Sequence, residues 1–175
     1  MNLKNLIKYF LFWQLAIIVV VTLAVKLIPL RPSNTYLGAS IRGYLKNPLL
    51  NFRSNFDGVH YVLIATHGYN FGQQAFFPLY PVLIRNLRHF LVNPVVAGVV
   101  ISTVSFFVGI YVLNKLILID YQPQVARLTI LLLLFFPVSF FFSTVYTEGL
   151  FLLLVVSSFY LARKNHLWLA CLCAA

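Results

Sequence analysis

Leu128–Ala162 reads LTILLLLFFPVSFFFSTVYTEGLFLLLVVSSFYLA, 35 residues with one charged side chain, Glu148. As a single helix it would be about 52 Å long at a rise of ~1.5 Å per residue, well beyond a bilayer's hydrocarbon thickness of roughly 30 Å. It therefore divides. Pro137 bends or breaks the first part, and Ser143-Thr-Val-Tyr-Thr147 supplies a polar break, giving one span at about 125–143 and another at about 148–162. Arg163-Lys-Asn-His166 ends the latter, and 167–175 has the composition of the start of a further span.

The same pattern continues toward the amino terminus. An apolar run from Leu6 to Leu30 follows Lys4 and Lys8, is much longer than the roughly 7–15-residue core of a signal peptide, and leads to no small-x-small cleavage site. It reads as a retained first span at about 6–30. Asn93-Pro94 places proline where a helix start tolerates it, and a second span follows at about 94–119 until Asp120-Tyr-Gln-Pro123 stops it. With 61% hydrophobic residues, 9% charged residues and a mean hydropathy of +0.90, the chain is not an ordinary soluble domain. The expectation is an all-α integral membrane protein, multi-pass, with one transmembrane domain over 1–175 and a large loop at 31–93.

The formal charge is +10, from 13 Lys and Arg against 3 acids. These cations are scattered between apolar runs, which argues against nucleic acid as a partner and for membrane lipids or a lipid-linked phosphate. Cys171 and Cys173 read as small apolar residues. If the spans alternate, Lys4, Lys8, Arg127, Arg163 and Lys164 share one side, the cytoplasmic one, and the 31–93 loop faces outside. Arg31, Arg42, Lys46, Arg53, Arg85 and Arg88 within that loop weigh against this orientation.

Asp57, Asp120 and Glu148 are the only acids. Ser54-Asn-Phe-Asp57 matches a capping box and predicts a helix starting near Asp57, with Asp57 and Tyr61 on one face and His60 beside them. On local pattern Asp57 is either a helix cap or a reactive acid looking into a cavity. Val82–Leu91 carries an apolar stripe of Ile84, Leu87 and Leu91 with Arg85 and Arg88 three apart on the polar face, a short interfacial helix. Its arginines suit either anionic lipid in general or a specific phosphate. Asp120 reads as a turn residue. Glu148, costing roughly 2.5–3.5 kcal/mol if held at mid-membrane, belongs at a helix end or facing a polar cavity. His67 and His89 stand at no metal-ligand spacing from His60, so no metal site is expected.

Taken in order, Phe56-Asp-Gly-Val-His-Tyr61, Ile64-Ala, Gly68-Tyr69, Ala75-Phe-Phe-Pro-Leu-Tyr-Pro81, Phe136-Pro137 and Tyr146-Thr-Glu148 resemble the PIG-V family of mannosyltransferases, relatives of GPI mannosyltransferase 2 with the GT-C membrane fold. The resemblance covers about residues 10–170. Phe56 stands where many relatives have Trp, and Gly149 where Ser is common. The resemblance implies a GT-C-like multi-span helical bundle whose large first outer loop contains short interfacial helices. It implies an enzyme that moves mannose from a polyprenyl- or dolichyl-phosphate-mannose donor to a hydroxyl of an acceptor glycan or glycolipid on the non-cytoplasmic face, without a cofactor. The membrane would be a prokaryotic plasma membrane or, in a eukaryote, the endoplasmic reticulum. Asp57 would be the general base, His60, Tyr61 and Glu148 would bind sugar hydroxyls or shape the cavity, and Arg85 and Arg88 would hold the lipid phosphate. Because family members are longer, the resemblance also implies an amino-terminal portion whose isolated activity is incomplete. The competing reading is a non-catalytic lipid transporter or assembly subunit that binds lipid-linked phosphate through its basic loop. It predicts that the arginines matter and Asp57 does not.

Overall fold

The structure, a computed structural model, describes residues 1–29 and 40–175. Leu30, the last residue of the expected first span, and Arg31 of the loop lie outside the described residues. Among those described, the chain is helical, with no strand. In order the helices are α1 (Leu3–Leu27), α2 (Ser40–Lys46), α3 (Pro48–Asn51), α4 (Asp57–His67), α5 (Leu79–Leu91), α6 (Pro94–Asp120), α7 (Pro123–Leu134), α8 (Glu148–Arg163) and α9 (Leu167–Ala174). Single 3-10 turns at Phe52–Ser54 and Ser139–Ser143 precede α4 and α8.

Local chemistry sets the long helices. The Asn93 side chain accepts from the Val95 and Val96 N–H groups at 2.9 and 3.4 Å, capping α6 just before Pro94. α1 and α6 are long and apolar enough to cross a membrane. α7 is shorter, at 12 residues. It stops at Leu134 because the ring of Pro137 disfavours helix in the residues before it, and the chain continues through a turn into the 3-10 segment Ser139–Ser143.

α6 is the central element. On one side Leu6, Phe10 and Trp13 of α1 pack with Phe106 and Ile110 of α6 and with Ile130 and Leu134 of α7. On another, Tyr61 and Ala65 of α4 and Tyr80 and Ile84 of α5 meet Val95, Ala97 and the linker residue Val145. Polar side chains tie the layers together: Trp13 Nε1 donates to Ser139 Oγ at 3.0 Å, and Ser158 Oγ of α8 donates to the Ala170 carbonyl of α9 at 2.9 Å. Such bonds hold apolar helices in register, since a buried polar group left unpaired costs about 1–3 kcal/mol.

The bundle has two chemically different ends. At one, Arg163 of α8 grips Asp120 of α6 with two bonds of 2.7 and 2.6 Å, and Arg127 lies over the Tyr9 ring, 5.8 Å from its centroid. The Met1 amino group reaches Asn114 there, at 2.9 Å. Asp120 is thus an ion-pair partner as well as the last residue of its helix. Asp57 and Glu148 begin α4 and α8 at the other end.

Candidate active site

The chain enters α4 by an unusual route. Ser54 does not cap the helix as its sequence context suggests: its hydroxyl donates backward to the Asn51 carbonyl at 3.1 Å. The N-cap position belongs to Phe56, with φ 52° and ψ −120° and no side-chain cap bond. A positive φ in a non-glycine residue stores strain of the order of 1–3 kcal/mol, which persists only where the surroundings enforce it. The enforcement comes from the segment before α8. The Val145 N–H donates to the Arg53 carbonyl at 2.7 Å, the Tyr146 hydroxyl donates to the Asn55 carbonyl at 3.2 Å, and Arg53 Nη1 donates both to Ser143 Oγ at 2.9 Å and to the Ser143 carbonyl. Residues 53–55, immediately before the strained residue, are therefore fastened to 143–146.

Asp57 and Glu148 are each the first residue of a helix and are followed by glycine, a position where the free N–H groups of a helix start accommodate negative charge. The glycines allow close approach. A Cβ on Gly58 would stand 3.2 Å from the Val145 carbonyl oxygen, and one on Gly149 would stand 2.5 Å from the Ser102 carbonyl oxygen. The serine common at the latter position in the resembling proteins has no room here. α8 presses against α6 instead, and a buried relay supports the contact: the Tyr80 hydroxyl lies 2.6 Å from Ser102 Oγ, which donates to the Tyr146 carbonyl at 2.9 Å.

Asp57, Tyr61 and Glu148 are brought together by this construction. Tyr61 hydroxyl lies 3.5 Å from Thr147 Oγ1, a long contact, one residue before Glu148. Burial raises the Tyr61 phenol pKa, and the carboxylates of Glu148 and Asp57 add to the effect. Burial likewise pushes the Tyr146 phenol up to about 12, with Asp57 the largest charge acting in the same direction. Both tyrosines therefore stay protonated as hydrogen-bond donors beside two acids. Asp57 is exposed, whereas Glu148 is partly buried and its Oε2 has no hydrogen-bond partner. His60, on the next turn of α4, stacks on Phe76 with 4.9 Å between centroids, and its Nδ1 lies 3.3 Å from Gln73 Nε2.

The arginines are elsewhere. Arg85 Nε and Nη2 donate to the Ala65 and Ile64 carbonyls at 3.0 and 2.9 Å, closing the carboxyl-terminal turn of α4. Ala65 lies eight residues beyond Asp57, about 12 Å along a helix rising ~1.5 Å per residue. Arg88, half-buried, is one turn further along α5. These two residues thus lie beside the opposite end of α4 from the acid pair.

The family described as Mannosyltransferase (PIG-V) matches residues 3–174. The chain belongs to the PIG-V mannosyltransferase family. No curated protein and no solved structure matches it. Membership makes this a glycosyltransferase family chain, with a sugar donor and an acceptor glycan as its partners in general.

For a PIG-V mannosyltransferase the acid pair offers one exposed carboxylate, Asp57, and one partly buried carboxylate, Glu148, whose Oε2 is enclosed without a hydrogen-bond partner. Sequence reasoning gave no site role to Arg53, Asn55, Tyr146 and Thr147, although Tyr146-Thr-Glu148 carries part of the resemblance and Arg53 counts among the loop cations; these residues join the two helix starts. Arg53 is only 8% exposed and is held by hydrogen bonds to Ser143 and by the Phe52 ring, 5.1 Å from the guanidinium carbon. The only available signal was its place four residues before Asp57. Beside these residues lies a cavity of about 220 Å³, walled by aromatic rings, among them Phe52, Phe56 and Tyr146, and by Asn55 and Thr144.

Proposed function

We propose that the protein transfers mannose from a polyprenyl- or dolichyl-phosphate-mannose donor to a hydroxyl of an acceptor glycan or glycolipid, with inversion at the anomeric carbon. The observation that carries this reading is the joining of two distant helix starts so that Asp57 and Glu148 share one end of the bundle with Tyr61 and Thr147. Asp57, exposed at that end, accepts the proton of the acceptor hydroxyl as the oxygen bonds to the anomeric carbon. The bond from that carbon to the phosphate oxygen breaks, and its electron pair leaves on the lipid phosphate. A positioned base contributes about 10²- to 10⁴-fold to such a step. Glu148, Tyr61 and His60 bind sugar hydroxyls or shape the cavity.

Arg85 and Arg88 remain the proposed phosphate ligands. Two of Arg85's nitrogens already serve α4, so Arg88 and the remaining Nη1 of Arg85 would meet the phosphate. The proposed architecture is a multi-span GT-C-like bundle. The clustering of Arg127 and Arg163 at the end opposite the acids supports placing that end in the cytoplasm and the site on the non-cytoplasmic face.

The test supplies polyprenyl-phosphate-mannose to membranes from cells carrying the gene at its own locus and follows mannose transfer in wild type and Asp57→Asn. Transfer by wild type and its loss in the variant are expected. Transfer absent from wild type with every acceptor tried contradicts the reading.

A further inference from the structure

Phe76-Phe-Pro-Leu-Tyr-Pro81 leads into α5 with three apolar side chains turned outward: Phe77 is 80% exposed, Leu79 49% and Val82 47%. They are not the apolar stripe that the sequence marks on this helix. Ile84 of that stripe is fully buried and Leu87 packs beside it, in the cluster shared with α4 and α6. A stripe already covered by protein cannot also lie on a membrane, so the outward residues need a partner of their own. Left in water, they forgo roughly 25 cal/mol for each Å² of apolar surface.

Their depth is set by α6. The Tyr80 hydroxyl lies 3.0 Å from the Gly98 carbonyl and 2.6 Å from Ser102 Oγ, and a Cβ on Gly98 would stand 3.3 Å from Ile84 Cδ1. The start of α5 therefore lies beside Ser102, about 12 Å along α6 from Pro94, and α5 runs back along α6 to the joint at Asn93. Val100, Val104, Val108 and Leu118 are exposed on α6. They extend over about 27 Å at ~1.5 Å per residue, close to a hydrocarbon core of roughly 30 Å. Leu79 and Val82, neighbours of Tyr80, thus stand within the layer that begins near Val100. Arg85 is exposed, about 9 Å further along the helix than Leu79. Interfacial segments bury apolar groups roughly 5–10 Å below the headgroups, so its guanidinium falls at headgroup height. The sequence has no acid between Asp57 and Asp120, and Arg85 and Arg88 give this face a positive charge that suits anionic lipid.

We infer that residues 77–82 form a membrane-inserted wedge, with Phe77, Leu79 and Val82 among the acyl chains of one leaflet and Arg85 at the level of its phosphates. Phe76 ties the wedge to the acid end of the bundle, since its ring stacks on His60 at 4.9 Å and meets Tyr61 edge-on at 5.0 Å. Insertion of the wedge thereby holds the start of α4 at the membrane surface. The inference rests on α6 as a membrane span and is independent of the transfer chemistry.

The test places single cysteines by Phe77→Cys, Leu79→Cys, Asn86→Cys and Val104→Cys in a chain carrying Cys171→Ala and Cys173→Ala. Asn86 is exposed on the face of Leu79, two turns further along α5. Each cysteine carries an NBD fluorophore, in nanodiscs of phosphatidylcholine and phosphatidylglycerol. Lipids with a doxyl group on the acyl chain quench label in hydrocarbon, and aqueous dithionite bleaches label in water. Loss of emission to doxyl lipid with slow bleaching is expected at 77, 79 and 104, and fast bleaching with little doxyl quenching at 86. Bleaching at 77 and 79 as fast as at 86 overturns the wedge. Protection there from both quenchers also overturns it, since a protein surface would then cover the segment. Escape of the label at 104 from doxyl lipid overturns the span of α6 and the wedge with it, whereas quenching at 104 without quenching at 77 and 79 overturns the wedge alone.

Discussion

Arg53 Nη1 reaches Ser143 across 90 positions of sequence, bonding both its Oγ, at 2.9 Å, and its carbonyl. With the return bond from the Val145 N–H to the Arg53 carbonyl at 2.7 Å, this contact fastens the approach to α4 onto the approach to α8. The separation of the two acids is thereby fixed by residues outside both helices. Burial lowers the pKa of the Arg53 guanidinium, but arginine stays charged at any pH the protein meets.

Arg53→Met keeps most of the side-chain volume and removes both donors. Hydrogen bonds to a charged group contribute about 1.5–3 kcal/mol, so the variant should unfold at a lower temperature in detergent. Mannose transfer should fall more than the thermal loss explains, because the two helix starts are no longer fastened. A melting curve and a transfer rate taken at a temperature where both proteins are folded separate the two effects. An unchanged rate there contradicts a positioning role.

Gly149→Ser restores the residue common at that position among the resembling proteins, yet its Cβ would fall 2.5 Å from the Ser102 carbonyl oxygen. Backbone cannot yield as a flexible side chain can, and overpacking of this kind costs about 1–3 kcal/mol. Lower thermal stability is expected, with the α6–α8 contact loosened. A melting temperature equal to wild type would mean that α8 tolerates a different seat on α6.

Arg85 and Arg88 should separate by phenotype. Arg85→Met removes two bonds to α4 carbonyls and should lower stability by about 1.5–3 kcal/mol, whether or not phosphate binds. Arg88→Met should leave the melting temperature near wild type and raise the KM for the lipid-phosphate donor. If neither variant changes that KM, the phosphate is held elsewhere.

Tyr146 provides a pH signature. Its phenol lies near 12 in the folded protein against an ordinary value of 10.0, so the folded state holds the proton more tightly than the unfolded chain. The associated stability is complete below about pH 10 and is lost as pH rises toward 12. Melting temperature should fall across that window, and Tyr146→Phe should flatten part of the fall. Tyr61, also raised, accounts for some of the remainder.

Much of the scaffold is legible in local sequence because its causes are local. Asn93-Pro94 marks the start of α6 with the atoms that cap it, and the glycine and proline content of 68–81 interrupts helix between α4 and α5. Asp57 and Glu148 stand out by rarity alone in a chain with three acids. The contacts that make them a pair are not legible, because Arg53–Ser143 and Tyr146–Asn55 span 90 and 91 positions and follow no periodicity. Ser54 misleads for a related reason: its spacing to Asp57 suits a capping box, but the bonds to 143–146 hold Phe56 in the N-cap position and turn the Ser54 hydroxyl back to Asn51. Arg85 carries charge on a polar helix face in sequence, and only the packing of α5 on α4 shows that two of its donors serve carbonyls.

The most direct test of the central claim compares Asp57→Asn with Glu148→Gln in the mannose-transfer assay, reading kcat and donor KM separately. Asp57→Asn should lose about 10²- to 10⁴-fold in kcat with little change in KM, while Glu148→Gln should act mainly on KM. Undiminished kcat in Asp57→Asn would contradict the account.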